Sequence, residues 1–175
     1  MDLKKLNTPI KIENIDFRVQ SVSPKGWVTL LAYKDARVDM NRLDEVCGQE
    51  NWQRDHKEVN GVVYCGIGIR IDDKWIWKWD AGAESFTDKE KGQASDSFKR
   101  AGFNWGIGRH LYDFPLILIQ LNEDEYKVEG NKAKVTYNFK LKQWIWGVEY
   151  AKNGEVLKLA AKDTNDKLRF KYNKI

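Results

Sequence analysis

Lys99 and Arg100 stand side by side in the middle of the chain, and they are well suited to binding an anion. Lys91 precedes them, and Arg109 follows next to His110. Lysine and arginine neutralise phosphates, and a cluster of such cations is the usual electrostatic footprint of a nucleic-acid partner. The same residues also suit an ordinary solvated helix face, so their types alone leave both interpretations open.

The spacing around this pair predicts an amphipathic helix. Apolar residues recur at i, i+4, i+7 and i+11 and so share one helical face: Ala94, Phe98, Ala101 and Trp105. Lys99 and Arg100 point away from most of that stripe. Thr87 and Glu90 have the spacing of a capping box at the start, and the Gly-Ile-Gly run at residues 106–108 ends the helix.

Three further cations on neighbouring elements are candidate phosphate contacts: Arg37, Arg70 and Lys78. A first helix is predicted from the N-cap residue Asp35 to Gly48. Arg37 lies in its first turn, where the helix dipole disfavours a cation, and this hints at a role. Lys78 is either an ordinary edge-strand charge that guards against aggregation or part of a basic track.

Residues 52–81 are predicted to form a three-stranded antiparallel meander. Asn60-Gly61 is typical of a two-residue type I′ turn, as is Asn153-Gly154 later in the chain, and Asp72-Asp73 joins the second strand to the third. Alternation along the strands then defines two faces. One face is mostly aliphatic and collects Trp52, Val63, Cys65, Ile67, Ile69, Ile71 and Ile76; the other carries Tyr64, Gly66, Gly68 and Arg70 beside Trp75, Trp77 and Trp79.

The glycines beside large aromatic rings predict where the helix lies. Glycine in a central strand permits close approach of another backbone, so we expect the helix over residues 88–105 to pack on the face of Gly66 and Gly68. A row of tryptophans on a sheet is either core, under the helix or at a subunit contact, or a base-stacking platform. The core interpretation is favoured because an exposed row would be sticky without its ligand.

Carboxylates near the meander raise the alternative of a metal-dependent nuclease: Asp72, Asp73, Asp80 and Glu84. Turn chemistry accounts for the first two, and no lysine follows at the usual spacing. The two histidines and two cysteines have no metal-ligand spacing, and no Walker-type motif is present. We therefore expect no catalytic residue, no metal site, no cofactor and no enzymatic activity.

The composition limits the class of protein. The chain has 175 residues, of which 42% are hydrophobic and 32% charged, with a net charge of +4. This is a globular composition with a mildly basic balance, compatible with a polyanion partner. The longest apolar run, residues 116–119, is far shorter than the roughly 18 residues of a membrane span. No recognisable signal peptide is present, and only two cysteines occur, which favours a reducing compartment; we therefore expect a cytoplasmic protein with no membrane partner.

The residues after Pro115 are predicted to be mostly β. A short strand at 116–121 is followed by an acidic turn at 122–125 and by strands at 134–140, 143–150, 155–161 and 168–172. The predicted fold class is α+β: an antiparallel meander packed by an amphipathic helix (a β-β-β-α core), with a preceding helix and a mostly β C-terminal extension. We expect a core domain at 1–121 and an extension at 122–175, which could belong to the same domain.

Two segments carry a resemblance to a known family. Residues 94–101 read ASDSFKRA, and residues 105–112 read WGIGRHLY. Together they resemble the RAD-fifty-two superfamily of single-strand annealing proteins, above all the phage-encoded Sak-type members. The first helix, the Gly-to-Trp step at 48–52 and the meander are similar as well, so the resemblance covers about residues 33–115. Phe103 departs from the pattern, because the family has a further cation at that position.

The resemblance implies a function. It implies ATP-independent single-stranded DNA binding and annealing in recombination and repair, by a homo-oligomeric ring or filament with a basic groove. By motif position, Arg37, Lys99 and Arg100 would contact backbone phosphates, and Arg109 could compensate for Phe103. The host would be a bacterial or phage-infected cytoplasm, and candidate protein partners are a single-strand-binding protein or an exonuclease. The alternatives are a non-annealing single- or double-stranded nucleic-acid-binding module and, less favoured, the nuclease.

Overall fold

The computed structural model describes residues 1–83 and 89–174, with only the backbone of residues 89–91. The capping box expected at Thr87 and Glu90 therefore lies outside the described residues. In chain order the elements are β1 (Asp16–Val22), β2 (Trp27–Tyr33), α1 (Ala36–Cys47), β3 (Trp52–Val59), β4 (Val62–Ile71), β5 (Lys74–Ala81), α2 (Lys89–Asn104), β6 (Ile117–Gln120), β7 (Tyr126–Glu129), β8 (Lys132–Val135), β9 (Ile145–Tyr150), β10 (Val156–Lys162) and β11 (Leu168–Asn173). The fold is α+β, with two α-helices and antiparallel sheets that include a β-rich C-terminal part, as predicted.

The chain divides into two compact units. The first contains Met1–Thr8 and Lys34–Arg109, and the second contains Pro9–Tyr33 and His110–Ile175. This division runs differently from the boundary expected after residue 121. The reason is a long-range pairing: β2 pairs antiparallel with β6, with Trp27 opposite Gln120 and Leu30 opposite Ile117. That pairing ties residues near the N-terminus to the C-terminal part of the chain.

The first unit contains the predicted meander in the predicted register. Val59 lies opposite Val62 across the first turn, and Ile71 lies opposite Lys74 across the second. Asn60 and Gly61 have φ values of 54° and 78°, as a type I′ turn requires. The strand order is β3-β4-β5, so β4 is central and β5 is an edge strand.

Helix α2 packs on the aliphatic face of this sheet, and the expectation that it covers the glycines is wrong. Phe98, Ala101 and Trp105 share one buried cluster with Cys65, Ile67 and Ile69 of β4, together with Leu6, Leu43, Cys47 and Ile107. The indole Nε1 of Trp105 also donates a hydrogen bond of 2.9 Å to the backbone oxygen of Ile67. The glycine face of β4 already accommodates the tryptophans of β5, so it offers no hollow to a helix.

Helix α1 begins and ends as its sequence predicts. The side chain of Asp35 accepts a hydrogen bond from the backbone N–H of Arg37, and Gly48 ends the helix at a φ of 82°. A positive φ strains residues with a Cβ, which is why glycine stands at this position. Leu43 and Cys47 of α1 lie in the same buried cluster as α2 and β4, so both helices are anchored on one core.

The second unit has its own core and three antiparallel sheets. These have the strand orders β1-β2-β6, β9-β10-β11 and β7-β8. Buried residues from β2, β6 and β10 form a separate cluster that includes Leu30, Ile117 and Leu159. The Asn153-Gly154 turn is not the expected type I′ turn, because only Gly154 of the two has a positive φ. The N–H of Ala151 instead donates to the oxygen of Glu155, which closes a wider loop.

Candidate nucleic-acid interface

Arg37 and Lys99 lie beside the same carboxylate, although they are far apart in sequence. The Nε of Arg37 donates a hydrogen bond of 2.8 Å to Asp35, the N-cap of α1. These hydrogen bonds from Arg37 are the main reason why the pKa of Asp35 lies below its ordinary value, and the charge of Lys99 adds to the effect. The Arg37 side chain is 82% exposed. Its unfavourable place in the first turn is thus compensated by the carboxylate of the N-cap residue.

Arg100 faces the edge strand β5. Its Nε donates to Oδ1 of Asp80 at 3.3 Å, and the guanidinium is exposed. Asp80 also receives a weaker hydrogen bond of 3.4 Å from Asn104, one turn further along α2. The Arg100 and Asp80 side chains are 45% and 27% exposed, so solvent screens this ion pair and a phosphate can reach Arg100 in competition with Asp80.

Lys99 differs from its neighbour because it has no hydrogen-bond or ion-pair partner within the part of the chain that the structure describes. It is partly exposed, and its charge acts on Asp35 and on the pair beneath it. Successive residues on a helix diverge by about 100°. Lys99 therefore lies toward the start of α1 and Arg100 toward β5, and together with Arg37 they form a candidate basic rim.

Lys78 and Arg109 occupy a different place, at the C-terminal end of α2. The Nζ of Lys78 and an Nη of Arg109 both donate to the backbone oxygen of Asn104, at 2.9 Å and 3.0 Å. The Nε of Arg109 donates to the oxygen of Phe103 at 2.6 Å. Carbonyls at a helix end lack intrahelical donors and attract cations. Both residues cap α2, and the structure does not group them with the basic rim.

The other two candidates also lie apart from the rim. Arg70, at the end of β4, forms an ion pair of 2.6 Å with Asp73 in the turn to β5. It lies opposite Trp75, five residues along β5 from Asp80, which corresponds to about 17 Å of strand. The side chain of Lys91 lies outside the described residues.

A buried ion pair lies beneath the rim. Both oxygens of Asp39 accept hydrogen bonds of 2.5 Å from the Nζ of Lys34, and both residues are buried. Burial raises the pKa of Asp39 to about 6 against the opposing charge of Lys34, and burial lowers the pKa of Lys34. A Cβ at Gly102 of α2 would come within 2.3 Å of Asp39 Oδ1. The Gly102 position thus allows α2 to approach the pair closely.

Lys34 also explains part of the glycine-rich exit and the departure at Phe103. A Cβ at Gly108 would lie 2.5 Å from Cε of Lys34, so the lysine stem fills the space that this glycine leaves. The Nζ of Lys34 lies 4.5 Å from the centre of the Phe103 ring, a cation–π contact. The cation near Phe103 is buried and paired with Asp39, so it is not available to a phosphate.

The position of Asp39 in the sequence of α1 indicates a buried ion pair, although the spacing argument above did not identify it. Asp39 falls three residues after Ala36 and four before Leu43, on the apolar face of α1. A carboxylate at such a position requires a buried partner, since an unpaired buried charge is very costly. The identity of that partner could not be read from spacing.

Of the carboxylates considered for a nuclease, the three that the structure describes do not come together. Asp72 and Asp73 have φ values of 48° and 61° and form the β4–β5 turn, as expected from turn chemistry. Asp80 binds Arg100, and Glu84 lies outside the described residues. Within the described ranges, no three histidine, cysteine, aspartate or glutamate side chains cluster as they would around a metal ion.

Comparison with known proteins supports the coarser part of the resemblance. No family model matches the chain. Curated relatives include the single-stranded DNA-binding protein DdrA of Deinococcus radiodurans, 30% identical over 115 residues that cover 64% of this chain and 55% of that protein. They also include DdrA of Deinococcus deserti, 28% identical over 123 residues that cover 69% of this chain and 61% of that protein. The chain is thus similar to single-stranded DNA-binding proteins and spans somewhat over half of their length. These relatives support that broad class and not the Sak-type subgroup.

Proposed function

We propose that this protein binds single-stranded DNA through the basic rim of Arg37, Lys99 and Arg100. The observation that carries the proposal is Lys99, a cation on the rim with no partner in the described part of the chain. The other side of α2 is held in the core by Phe98, Ala101 and Trp105. A rim built on anchored helices presents its charges in a fixed arrangement, which favours phosphate contacts over a loosely solvated surface.

The names of both curated relatives point to the same ligand. Each is a single-stranded DNA-binding protein, and each alignment covers about two thirds of this chain. The resemblance of residues 94–112 to single-strand annealing proteins adds that binding would serve the pairing of complementary strands in recombination and repair. No helix within the described ranges has the length and apolar character needed to cross a membrane.

In the proposed mechanism, annealing needs no ATP and no bond chemistry. The rim neutralises phosphates and releases counterions, which reduces the repulsion between two strands. Bases that point away from the rim are free to test a second strand, and pairing supplies the driving force. A ring or filament of many copies would multiply weak contacts by raising their effective concentration. A net charge of only +4 per chain then suffices, because the charge is concentrated along a repeated rim.

The binding proposal is tested with the double variant Lys99→Ala/Arg100→Ala. Its affinity for oligo-dT should fall, and the slope of log affinity against log salt should become shallower by about 1.4, the value for two lost phosphate contacts on a single strand. The matched control is Lys127→Ala/Lys134→Ala, which removes the same net charge from the β7–β8 hairpin. An equal loss in both variants would mean that only net charge matters, and the rim would be rejected.

Annealing and assembly are tested separately with the unmodified protein. Complementary oligonucleotides should pair faster with protein than without it in the absence of ATP, and light scattering should give a mass of many copies. Strand binding without faster pairing would support the non-annealing module. Tighter binding to duplex RNA than to single-stranded DNA would overturn the proposed ligand.

A further inference from the structure

The face of the β3-β4-β5 sheet opposite α2 carries three tryptophans from one strand, Trp75, Trp77 and Trp79, which we call the tryptophan row. Alternation places all three on the same side of β5. Helix α2 packs against the other side, on Cys65, Ile67 and Ile69. The row therefore does not lie under α2, as one form of the core interpretation expected; a contact with another subunit stays a prediction.

Two glycines support the rings of this row. Trp79 lies opposite Gly66 and Trp77 lies opposite Gly68 on the neighbouring strand. A Cβ at Gly66 would come within 2.5 Å of Cε2 and 2.7 Å of Cδ2 of Trp79, and a Cβ at Gly68 would come within 2.8 Å of Cε2 of Trp77. The shared bond of each indole thus lies directly above a glycine. The rings rest on the sheet and do not stand out from it.

The orientation and exposure of the row suit contact with another flat ring. The Trp77 and Trp79 rings are within 23° of parallel, with centroids 5.6 Å apart, so their faces point in nearly the same direction. Trp75 is 40% exposed, and the other two are half-buried. The Trp77 and Trp79 rings already have one face covered by the glycines of the sheet, so these two indoles are held in place before any ligand arrives. Stacking on them costs little side-chain entropy.

Two exposed cations lie on the same face as the row, each in an ion pair at the surface: Lys57 with Asp55 at 3.9 Å and Arg70 with Asp73 at 2.6 Å. Exposed pairs of this kind contribute little to stability, so either cation can exchange its carboxylate for a phosphate. The Nζ of Lys57 lies 4.4 Å from the centre of the Trp79 ring, and the Lys57 side chain is 61% exposed. Arg70, opposite Trp75, provides a second exposed cation at the other end of the row. A flat aromatic surface flanked by basic side chains is the arrangement that binds single strands without sequence preference.

The row is also continuous with the proposed rim along the edge strand. Asp80 follows Trp79 directly and binds Arg100 on the α2 side of β5. Asn104 of α2 donates a hydrogen bond of 3.0 Å to the backbone oxygen of Trp79. The last residues of β5 therefore join Arg100 of the rim to the nearest ring of the row. Among the described residues, β5 has no strand on its outer side, so that edge is open to a nucleotide chain.

We propose that the tryptophan row is a stacking platform for unpaired bases of single-stranded DNA, separate from the phosphate contacts of the rim. The inference rests on the proposed function, since it assigns a second contact with the same ligand. Trp75 and Trp77 present the accessible ring faces, Lys57 and Arg70 contact the flanking phosphates, and the glycines hold the rings flat. A second copy of this chain is the rival occupant of the face.

The test compares oligo-dT with a strand of the same length whose nucleotides lack bases. The unmodified protein should bind oligo-dT more tightly, by about 5-fold to 150-fold for each base that stacks. The variant Trp75→Leu/Trp77→Leu should lose this preference while its salt dependence stays unchanged, because the phosphate contacts remain. The matched control is Trp27→Leu, which removes a tryptophan of similar exposure, 42%, on β2.

A second measurement needs no variant. Strands carrying 5-iodouracil are crosslinked by light to the unmodified protein, and the crosslinked peptide should contain residues 75–79. Crosslinks that map only outside β5 would reject the platform, whether or not the tryptophan variant folds. Equal affinity of the unmodified protein for the two strands would also reject it.

The remaining outcomes separate the platform from its rival and from the proposed function. If Trp75→Leu/Trp77→Leu changes the mass of the assembly and weakens binding to both strands equally, the face is a contact between copies and the platform is rejected. If the unmodified protein binds neither strand, the proposed function fails and the platform fails with it. Normal binding with no preference for bases rejects the platform alone.

Discussion

Arg100 donates a hydrogen bond of 3.3 Å to Asp80, so the guanidinium proposed to bind a phosphate already has a carboxylate beside it. A phosphate that approaches Arg100 must compete with that carboxylate and is repelled by it. The pair thus places an intrinsic limit on the affinity of the rim.

Asp80→Asn should increase the affinity for single-stranded DNA by about two- to five-fold at low salt, because it removes one nearby negative charge. Fluorescence anisotropy with labelled oligo-dT measures the change. The control is Asp166→Asn, which breaks the exposed ion pair of Asp166 with Lys162 in the second unit. Weaker binding by the Asp80 variant alone would mean that Asp80 positions Arg100 and does not compete with the ligand.

The same variant also tests the nuclease alternative. A metal-dependent cleavage of single strands by the unmodified protein that Asp80→Asn abolishes would support the nuclease.

The buried pair of Lys34 and Asp39 should matter for stability far more than any surface pair. Lys34→Met leaves the Asp39 carboxylate buried without its cation and should lower the free energy of unfolding by about 3–5 kcal/mol. Lys34→Met/Asp39→Leu removes both charges and should recover most of that loss. Urea denaturation followed by circular dichroism gives the values.

Lys162→Met provides the comparison with an exposed pair, since Lys162 and Asp166 are 48% and 77% exposed. Lys162→Met should lower the free energy of unfolding by less than about 1 kcal/mol. Similar losses for Lys34→Met and Lys162→Met would contradict the buried position of Lys34.

Asp39 also predicts the direction of a pH effect. Its pKa is raised to about 6 in the folded protein, above the ordinary value of 3.8 that applies when unfolded. Between about pH 4 and 6 the folded state therefore binds more protons than the unfolded state at this site, and its contribution to the free energy of unfolding falls as pH rises. The measurement is urea denaturation of the unmodified protein and of Lys34→Met/Asp39→Leu across this range. The free energy of unfolding of the unmodified protein, relative to that of the double variant, should decrease as pH increases. A relative increase would contradict the raised pKa.

Gly66 should be intolerant of a side chain even though it is not in a turn. Gly66→Ala places a Cβ where it would meet Trp79 at 2.5 Å, so the indole must leave its position above β4. We expect a loss of about 1–3 kcal/mol of stability and a change in near-ultraviolet circular dichroism from the displaced rings. Gly147→Ala is the control, because a Cβ at this strand glycine of β9 meets nothing within 4 Å. Gly147→Ala should change the free energy of unfolding by no more than about 0.5 kcal/mol.

Local features were predictable where one short-range interaction decides the structure. The Asn60-Gly61 turn, the Asp35 cap and the Gly48 end were predicted because each depends on a few adjacent residues. Strand β2, at Trp27–Tyr33, was not predicted. Its sequence WVTLLAY is apolar almost throughout and shows no alternation, so periodicity cannot identify it. Its pairing with β6 depends on residues about 90 positions away.

The candidate site was predictable in part for the same reason. Spacing along α2 separated Lys99 and Arg100 from the apolar stripe, and the resemblance added Arg37. Lys78 and Arg109 were candidates because of their charge, but their contacts with the carbonyls of Phe103 and Asn104 depend on where α2 ends relative to β5. Charge alone does not distinguish a cation that binds a ligand from one that caps a helix.

The sequence by itself determined the register of the meander, and with it the alignment of Trp77 and Trp79 with Gly68 and Gly66. A two-residue turn and the alternation of side chains are sufficient for that result. Only the tertiary structure decided which face α2 covers. Both faces of the sheet are apolar, so hydrophobicity does not choose between them; the choice follows from how Phe98, Ala101 and Trp105 fit against Ile67 and Ile69. That fit is a long-range packing interaction, and it is the reason why α2 does not cover the tryptophan row.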